Sequence, residues 1–257
     1  LDFYPGFEID IDEENLDFIY GEGTFGPEVE RRRLADIRKS LRNPNSDGPA
    51  IPYVIAMDVG KKADLEDLIN RNLLYGAVIY SKGSFDEEPV RSQGHIHSIS
   101  VSCNESTPEV YEIWSGEAII YMQETAKDNP GKCYAIFAEA GEVVIVPPGW
   151  AHYTVNANPE KNMVFGAWCV RDFGFDYEDV RAHGGLAYFP ILKDEISWVS
   201  NSNYQADEII CRKARSYSEF GLKAGIPIYT QYENNHEKFE FVTKPCSAEI
   251  LWDSFEP

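Results

Sequence analysis

Two of the five histidines, His95 and His97, stand two residues apart in GHIHSIS (94–100). In an extended strand, side chains at i and i+2 share a face, so both imidazoles project together while Ile96 faces the other way. Such a pair is a pincer for a metal ion. A lone His-x-His is also common surface decoration, so the reading turns on whether the chain supplies further ligands, and two later stretches do. Glu109 lies in PEVYEIWSG (108–116), a strand running to a turn glycine at Gly116. His152 lies in GEVVIVPPGWAHYTVN (141–156), where a valine-rich strand meets a Pro-Pro-Gly turn and a second strand begins. That turn folds the chain sharply, so His152 can face the same interior as the earlier pair. Three imidazoles and one carboxylate form a mixed N/O set suited to one divalent transition metal, Fe, Mn, Ni, Co or Zn, with positions left open for substrate or water.

These residues need a rigid frame. From Tyr75 to about residue 170, short runs rich in Val, Ile, Tyr and Phe (GAVIY, EVYEIW, AIIYMQ, YAIFA, EVVIV, YTVNA, MVFGAWCV) alternate with Gly, Pro and Asn turns. Many short strands at regular spacing predict an all-β sandwich or barrel. ETAKDNPGK (124–132) reads as a hairpin loop with solvated charges. Ahead of this region, residues 1–25 read as an acidic, aromatic arm, and EVERRRLADIRKSL (28–41) as an amphipathic helix with Leu34, Ile37 and Leu41 on one face and a basic face opposite, stopped by NPNSDGP. A strand is expected over 50–59 and a short helix after it, with Leu68, Ile69 and Leu73 on its buried side. Beyond about residue 185 the periodicity weakens, and 193–257 read as an extension with possible strands EISWVS and EIICRK, wrapped on the barrel or contributing to a dimer contact. The expected organisation is one structural domain: an arm with helices over 1–74, the barrel over 75–190, and an extension over 191–257.

The 23 basic and 43 acidic residues give a net charge of −20, which argues against nucleic acid and anionic membrane surfaces and for solubility. No run of about eighteen apolar residues is present, and the opening LDFYPGFEIDIDEENL has no basic segment ahead of an apolar one, so neither a membrane span nor a signal peptide is expected. Cysteines 103, 133, 169, 211 and 246 are odd in number and widely spread. No disulfide framework is expected from them, and a reducing cytoplasm is the natural setting.

The constellation resembles the cupin superfamily. Its first motif, His-x-His followed by Glu, six residues and Gly, is matched by His95, His97, Glu109 and Gly116, although eleven residues separate His97 from Glu109 where three or four are usual. Its second motif is matched at every position by Gly141, Pro147, Gly149, His152 and Asn156. A narrower resemblance is to the cupin-type glucose-6-phosphate isomerases of archaea and some bacteria, carried by SQGHIH (92–97), EVYEIWSGEAIIYMQ, VPPGWAHYTVN and RDFGFDY (171–177) over about residues 75–190. The resemblance implies a double-stranded β-helix (jelly-roll) barrel, a homodimer, a sugar-phosphate substrate and a place in glycolysis or gluconeogenesis.

It also implies roles. His95, His97, Glu109 and His152 would hold the metal, Glu109 would serve as the base of an aldose–ketose isomerisation, and Tyr177 would orient Glu109 or a sugar hydroxyl. Ser92 and the backbone N–H of Gly94 would meet the phosphate. Against the family pattern, Gln93 replaces a lysine, Cys169 a tyrosine, Phe175 a histidine, and Gly76-Ala77 stands where a phosphate-binding threonine is found. Arg91, Lys82 and Arg171 are the cations available to compensate, each of which also reads as an ordinary solvated rim residue. Three other readings stay open: an isomerase or epimerase acting on another sugar or metabolite, a cupin oxygenase, and a non-catalytic sugar-binding cupin.

Overall fold

Strands form where the β-branched and aromatic runs were marked, and they assemble into two facing sheets in a computed structural model that describes residues 1–257. The larger sheet has the order Val143–Val146, Glu109–Ser115, Met163–Val170, Leu73–Tyr80, Tyr53–Met57, Glu30–Arg32, all antiparallel. The smaller has the order Ala151–Asn156, Glu117–Gln123, Cys133–Glu139, Ile209–Lys213, with only the last pair parallel. The fold is mainly β and fits the cupin jelly roll, but the two sheets do not join into a closed barrel; isolated bridges Arg91–Val155 and His95–His152 run along the free edge of the smaller sheet. No helix is long and apolar enough to cross a membrane.

Packing comes in three layers. Between the sheets lie residues such as Tyr80, Tyr111, Ile113, Ile120, Met122, Ile136 and Phe165. The largest core, 25 residues, sits instead behind the six-stranded sheet, where Tyr75, Val110, Trp114 and Trp168 meet Phe7 from the N-terminal arm and Tyr229, Tyr232 and Phe239 from the C-terminal extension. A third layer covers the outer face of the smaller sheet with Val180, Leu186, Tyr188 and Tyr204. Leu73–Tyr80 and Met163–Val170 are therefore buried along their whole length, which explains their nearly unbroken apolar sequence.

The alternation along Glu109–Ser115 assigns the chemistry to faces. Glu109, Tyr111 and Ile113 point between the sheets, and Val110, Glu112 and Trp114 point to the rear core.

The helix expected over 28–41 is not formed as such. Glu30–Arg32 instead pairs as an edge strand, with Arg32 opposite Tyr53, and helical turns are confined to Leu34–Ile37 and Arg38–Ser40. An open sheet edge offers these residues backbone hydrogen bonds that an isolated helix of this length cannot match. The apolar spacing was nevertheless real, since Leu34, Ile37 and Leu41 are all buried. The expected helix after residue 59 is present over Leu65–Asn70 with Leu68 buried, but Ile69 is exposed and Leu73 already begins the next strand. In the last sixty residues the strands Ser197–Ser200 and Ile209–Lys213 form, and so do three helices of four to seven residues that were too short to show a period in sequence.

Candidate active site

His95 and His152 face each other across a narrow two-way backbone bridge, each N–H donating to the other's carbonyl at 3.0 Å. His97 follows on the short strand Ile96–His97, which pairs with Phe175–Asp176. Glu109 opens the strand behind them, and its Oε2 lies 3.1 Å from His97 Nε2 and 3.4 Å from His152 Nε2. One ligand atom from each of His95, His97, Glu109 and His152 lies within 4.8 Å of all the others. Two opposed ligands with bonds of about 2.1 Å span roughly 4.2 Å, so the set is close to the size of a coordination sphere.

The protonation of these groups supports a cation. His97 Nδ1 lies 2.7 Å from the Thr107 carbonyl and His152 Nδ1 3.0 Å from the Trp150 carbonyl. A carbonyl can only accept, so both Nδ1 atoms carry protons and both Nε2 atoms present lone pairs unless the ring is charged. Burial opposes that charge: it pulls His152 down from the ordinary histidine value, and burial together with the neighbouring His152 and His97 pulls His95 well below it. Burial also resists ionisation of Glu109, yet the His152 and His97 rings beside its Oε2 hold its carboxyl below the usual carboxylate range. Neutral imidazole lone pairs turned toward a carboxylate are stable when a cation lies between them. His95 Nε2 adds a buried nitrogen with no protein partner at all. The donor set therefore fits a divalent transition metal.

A cavity walled mainly by apolar side chains, the lining usual for small-molecule sites, opens onto His95, His97 and Glu109. Ser92 lines it, and its Oγ accepts the Thr154 N–H at 3.0 Å, which leaves the hydroxyl proton for another acceptor. Tyr177 lines it too, with its ring 6.1 Å from that of His95 and the Arg181 guanidinium 4.7 Å over its face. Gly94 does not line the cavity: its φ is +92°, and a Cβ there would meet Leu186 and Val180 on the opposite side. Phe175 packs edge-on to His95 at 4.6 Å, and Cys169 is buried in the wall.

Three cations named from sequence lie elsewhere. Arg91 is fully buried and tied to Glu88 at 2.8 and 2.9 Å and to the Ser40 carbonyl at 2.7 Å. Arg171 is clamped on Asp58 at 2.5 and 2.9 Å, and Lys82 does not reach the cavity. His183 pairs with Asp128 and stacks on Tyr204, outside the site.

One functional neighbour was missed. The Tyr111 hydroxyl donates to Glu109 Oε2 at 2.9 Å, a contact that Tyr177 does not make. Its signal was available in sequence, because Glu109 and Tyr111 are i and i+2 on one strand and must share a face.

The facing sheets and the His₃Glu set at their open end define a cupin-type site. The chain belongs to the glucose-6-phosphate isomerase (GPI) family, whose pattern it matches over residues 45–207, and so to the isomerases. It is 28% identical over 182 residues to the glucose-6-phosphate isomerase of Pyrococcus abyssi, covering 68% of this chain and 87% of that one. The corresponding protein of Pyrococcus horikoshii is 30% identical over 181 residues with the same coverage. Against that of Sinorhizobium medicae the identity is 26% over 136 residues, 52% of this chain and 59% of the relative. Among solved structures, an oxalate oxidase overlaps 49% of this chain and 54% of its own, with a TM-score of 0.37 and 15% identity.

Proposed function

We propose that this chain is a metal-dependent isomerase that interconverts glucose 6-phosphate and fructose 6-phosphate, with Glu109 as its base. The observation that carries the reading is the convergence of His95, His97, Glu109 and His152 on one point, three of them lining a single cavity, in a chain whose family catalyses this class of reaction.

Isomerisation of the open-chain sugar moves one proton between C1 and C2, with a matching exchange between hydroxyl and carbonyl, and consumes no oxidant or reductant. Glu109 takes the proton from C1 of the ketose, leaving an enediolate, and returns it to C2 on the same face, while the hydroxyl proton passes from O1 to O2. Its carboxylate is ionised at neutral pH, the form that a base requires. Tyr111 fixes the carboxylate by holding Oε2, leaving Oε1 free of protein hydrogen bonds. His95, His97, Glu109 and His152 would hold the metal, which would supply Lewis-acid stabilisation of negative charge on the sugar oxygens. Tyr177 and Ser92 offer hydroxyls to the sugar from the cavity wall. The apolar remainder of the lining excludes water from the carbanion-like carbon.

The test is glucose 6-phosphate formation from fructose 6-phosphate by chelated and metal-reloaded protein, beside Glu109→Gln. Activity should require the metal and fall at least about a hundredfold in the variant, the scale of a lost general base. A robust rate in Glu109→Gln would remove that residue from its role. No rate with any metal would turn attention to another sugar or polar metabolite.

A further inference from the structure

We infer that Arg32 and Gln93 form an anion subsite in the cavity wall that takes the phosphate of the substrate. This inference rests on the sugar-phosphate reading of the same site. Arg32 is the only Lys or Arg among the residues lining the cavity. In a chain of net charge −20, a dianionic ligand needs such a local cation.

Arg32 reaches the cavity because Glu30–Arg32 pairs as a strand and sets Arg32 opposite Tyr53, another lining residue. It precedes residue 45, where the match to the family begins. The cation is therefore supplied by a part of the chain outside that match, while the position at which the family has a lysine holds Gln93.

Two donors in this wall lack acceptors. Arg32 Nε is buried without a hydrogen-bond partner, and so is Gln93 Nε2. The orientation of Gln93 is fixed, since its Oε1 accepts from Arg181 Nη2 at 3.1 Å and the amide nitrogen is thereby directed elsewhere. Gln93 itself is only 2% exposed. Buried N–H groups without acceptors are costly, and a ligand that brings acceptor oxygens relieves that cost. Both groups are donor-only at the free atoms and call for acceptor oxygens, and the guanidinium charge favours an oxyanion among them.

The existing partner of Arg32 can yield. Arg32 Nη2 lies 2.7 Å from Glu30 Oε1, but the Glu30 side chain is 63% exposed, and an ion pair with so solvated a carboxylate is weak. A phosphate held in the apolar cavity interacts with the guanidinium through a lower effective dielectric and can accept two parallel N–H bonds.

Calorimetry on the metal-loaded chain with inorganic phosphate tests the subsite without turnover. Arg32→Ala should weaken phosphate binding about ten- to a hundredfold, the range for a lost charged hydrogen bond, and should raise KM for fructose 6-phosphate more than it lowers kcat. Arg32→Lys should keep part of the affinity as a point charge without the planar fork. Glu30→Gln should tighten phosphate binding about twofold or more, by removing the competing carboxylate, a gain that a merely structural Arg32 would not produce. Equal phosphate affinity in wild type and Arg32→Ala, or no phosphate affinity in the wild type, overturns the subsite. Phosphate held through Arg32 by a protein that isomerises nothing supports the subsite while removing the isomerase reading.

Discussion

Tyr111 donates its hydroxyl to Glu109 Oε2 at 2.9 Å, from two residues further along the same strand. Both residues sit in a strand bonded on each side, to Val143–Val146 and to Met163–Val170, so the pair is held by backbone on two edges. That is the rigidity a base needs if it is to meet the same carbon in every turnover. Burial first, and then the charge of Glu109, push the Tyr111 phenol well above its usual value, so it remains a donor at any working pH. Tyr111→Phe should lower kcat about ten- to a hundredfold, on the scale of one hydrogen bond to a charged group, with bound metal unchanged by elemental analysis. A kcat within twofold of wild type would show that the strand alone orients the carboxylate.

Metal binding should be visible as stability. An ion that binds the folded chain alone adds about 2.7 kcal/mol at a hundred times its dissociation constant, which is several degrees in Tm for a chain of this size. Titration of the chelated protein with a series of divalent transition ions should raise Tm, and His152→Gln should abolish the rise. The burial that depresses His95 and His152 keeps them neutral below the ordinary histidine value of 6.5, and neutral imidazole is the ligating form. The rise in Tm should therefore survive at pH values just under 6.5 and fade only on further acidification. Loss of the rise already at neutral pH would contradict neutral, preorganised ligands.

That His95, His97, Glu109 and His152 come together was legible in sequence because much of their placement is dictated locally. His95 and His97 share a face by strand alternation, and the Pro-Pro-Gly turn before His152 leaves few ways to fold. The strands between 73 and 170 were legible for the same reason. What failed was decided by distant partners. EVERRRLADIRKSL carries a helical spacing of apolar residues, yet its first part became a strand because Tyr53–Met57 had an edge to offer. Arg32 was for that reason not a candidate, while Arg91 was, although Glu88 and the Ser40 carbonyl already engage its guanidinium. Charge type can be read along a chain; which charges are already paired cannot.

The eleven residues between His97 and Glu109 are tied to the 171–177 segment by the Ser98 N–H, which donates to the Gly174 carbonyl at 2.9 Å, and by one carboxylate. Asp172 accepts the Ser102 N–H at 2.9 Å, the Ser100 hydroxyl at 2.9 and 3.0 Å, and the Asn72 side-chain amide at 3.0 Å. Burial alone would raise its carboxyl, but these bonds hold it below the usual aspartate value. Asp172→Ala should free residues 98–104, where Ile99 and Val101 are already exposed. We expect faster amide exchange and proteolysis confined to this insert, with global stability lowered by only about 1 kcal/mol. Unaltered exchange there would mean that the Ser106 hydroxyl, bonded to the His97 carbonyl at 2.7 Å, is enough to hold the insert.

Glu112, on the rear face of the same strand as Glu109, gives the opposite case of a buried carboxyl. It is fully buried, accepts the Ile228 N–H at 2.7 Å and the Trp114 indole N–H at 3.3 Å, and so ties the C-terminal extension to the glutamate strand. Burial pushes its carboxyl up to about 8 in spite of these hydrogen bonds, against 4.5 for an unperturbed glutamate. Between those two values the folded chain holds a proton that the unfolded chain has released. Stability from this group is therefore fully present below the unfolded value, is lost as pH rises toward the folded value, and levels off above it. Glu112→Gln keeps an oxygen for the Ile228 N–H and carries no charge at any pH. The Tm of wild type relative to this variant should fall steadily from about pH 4.5 to about pH 8 and then flatten, with each 1 kcal/mol of the change worth roughly 2–4 °C. Taking the difference between the two proteins cancels every other titrating group. Parallel melting curves across that window would mean that Glu112 is ionised in the folded chain, and that the Ile228 and Trp114 N–H groups offset the burial of its charge.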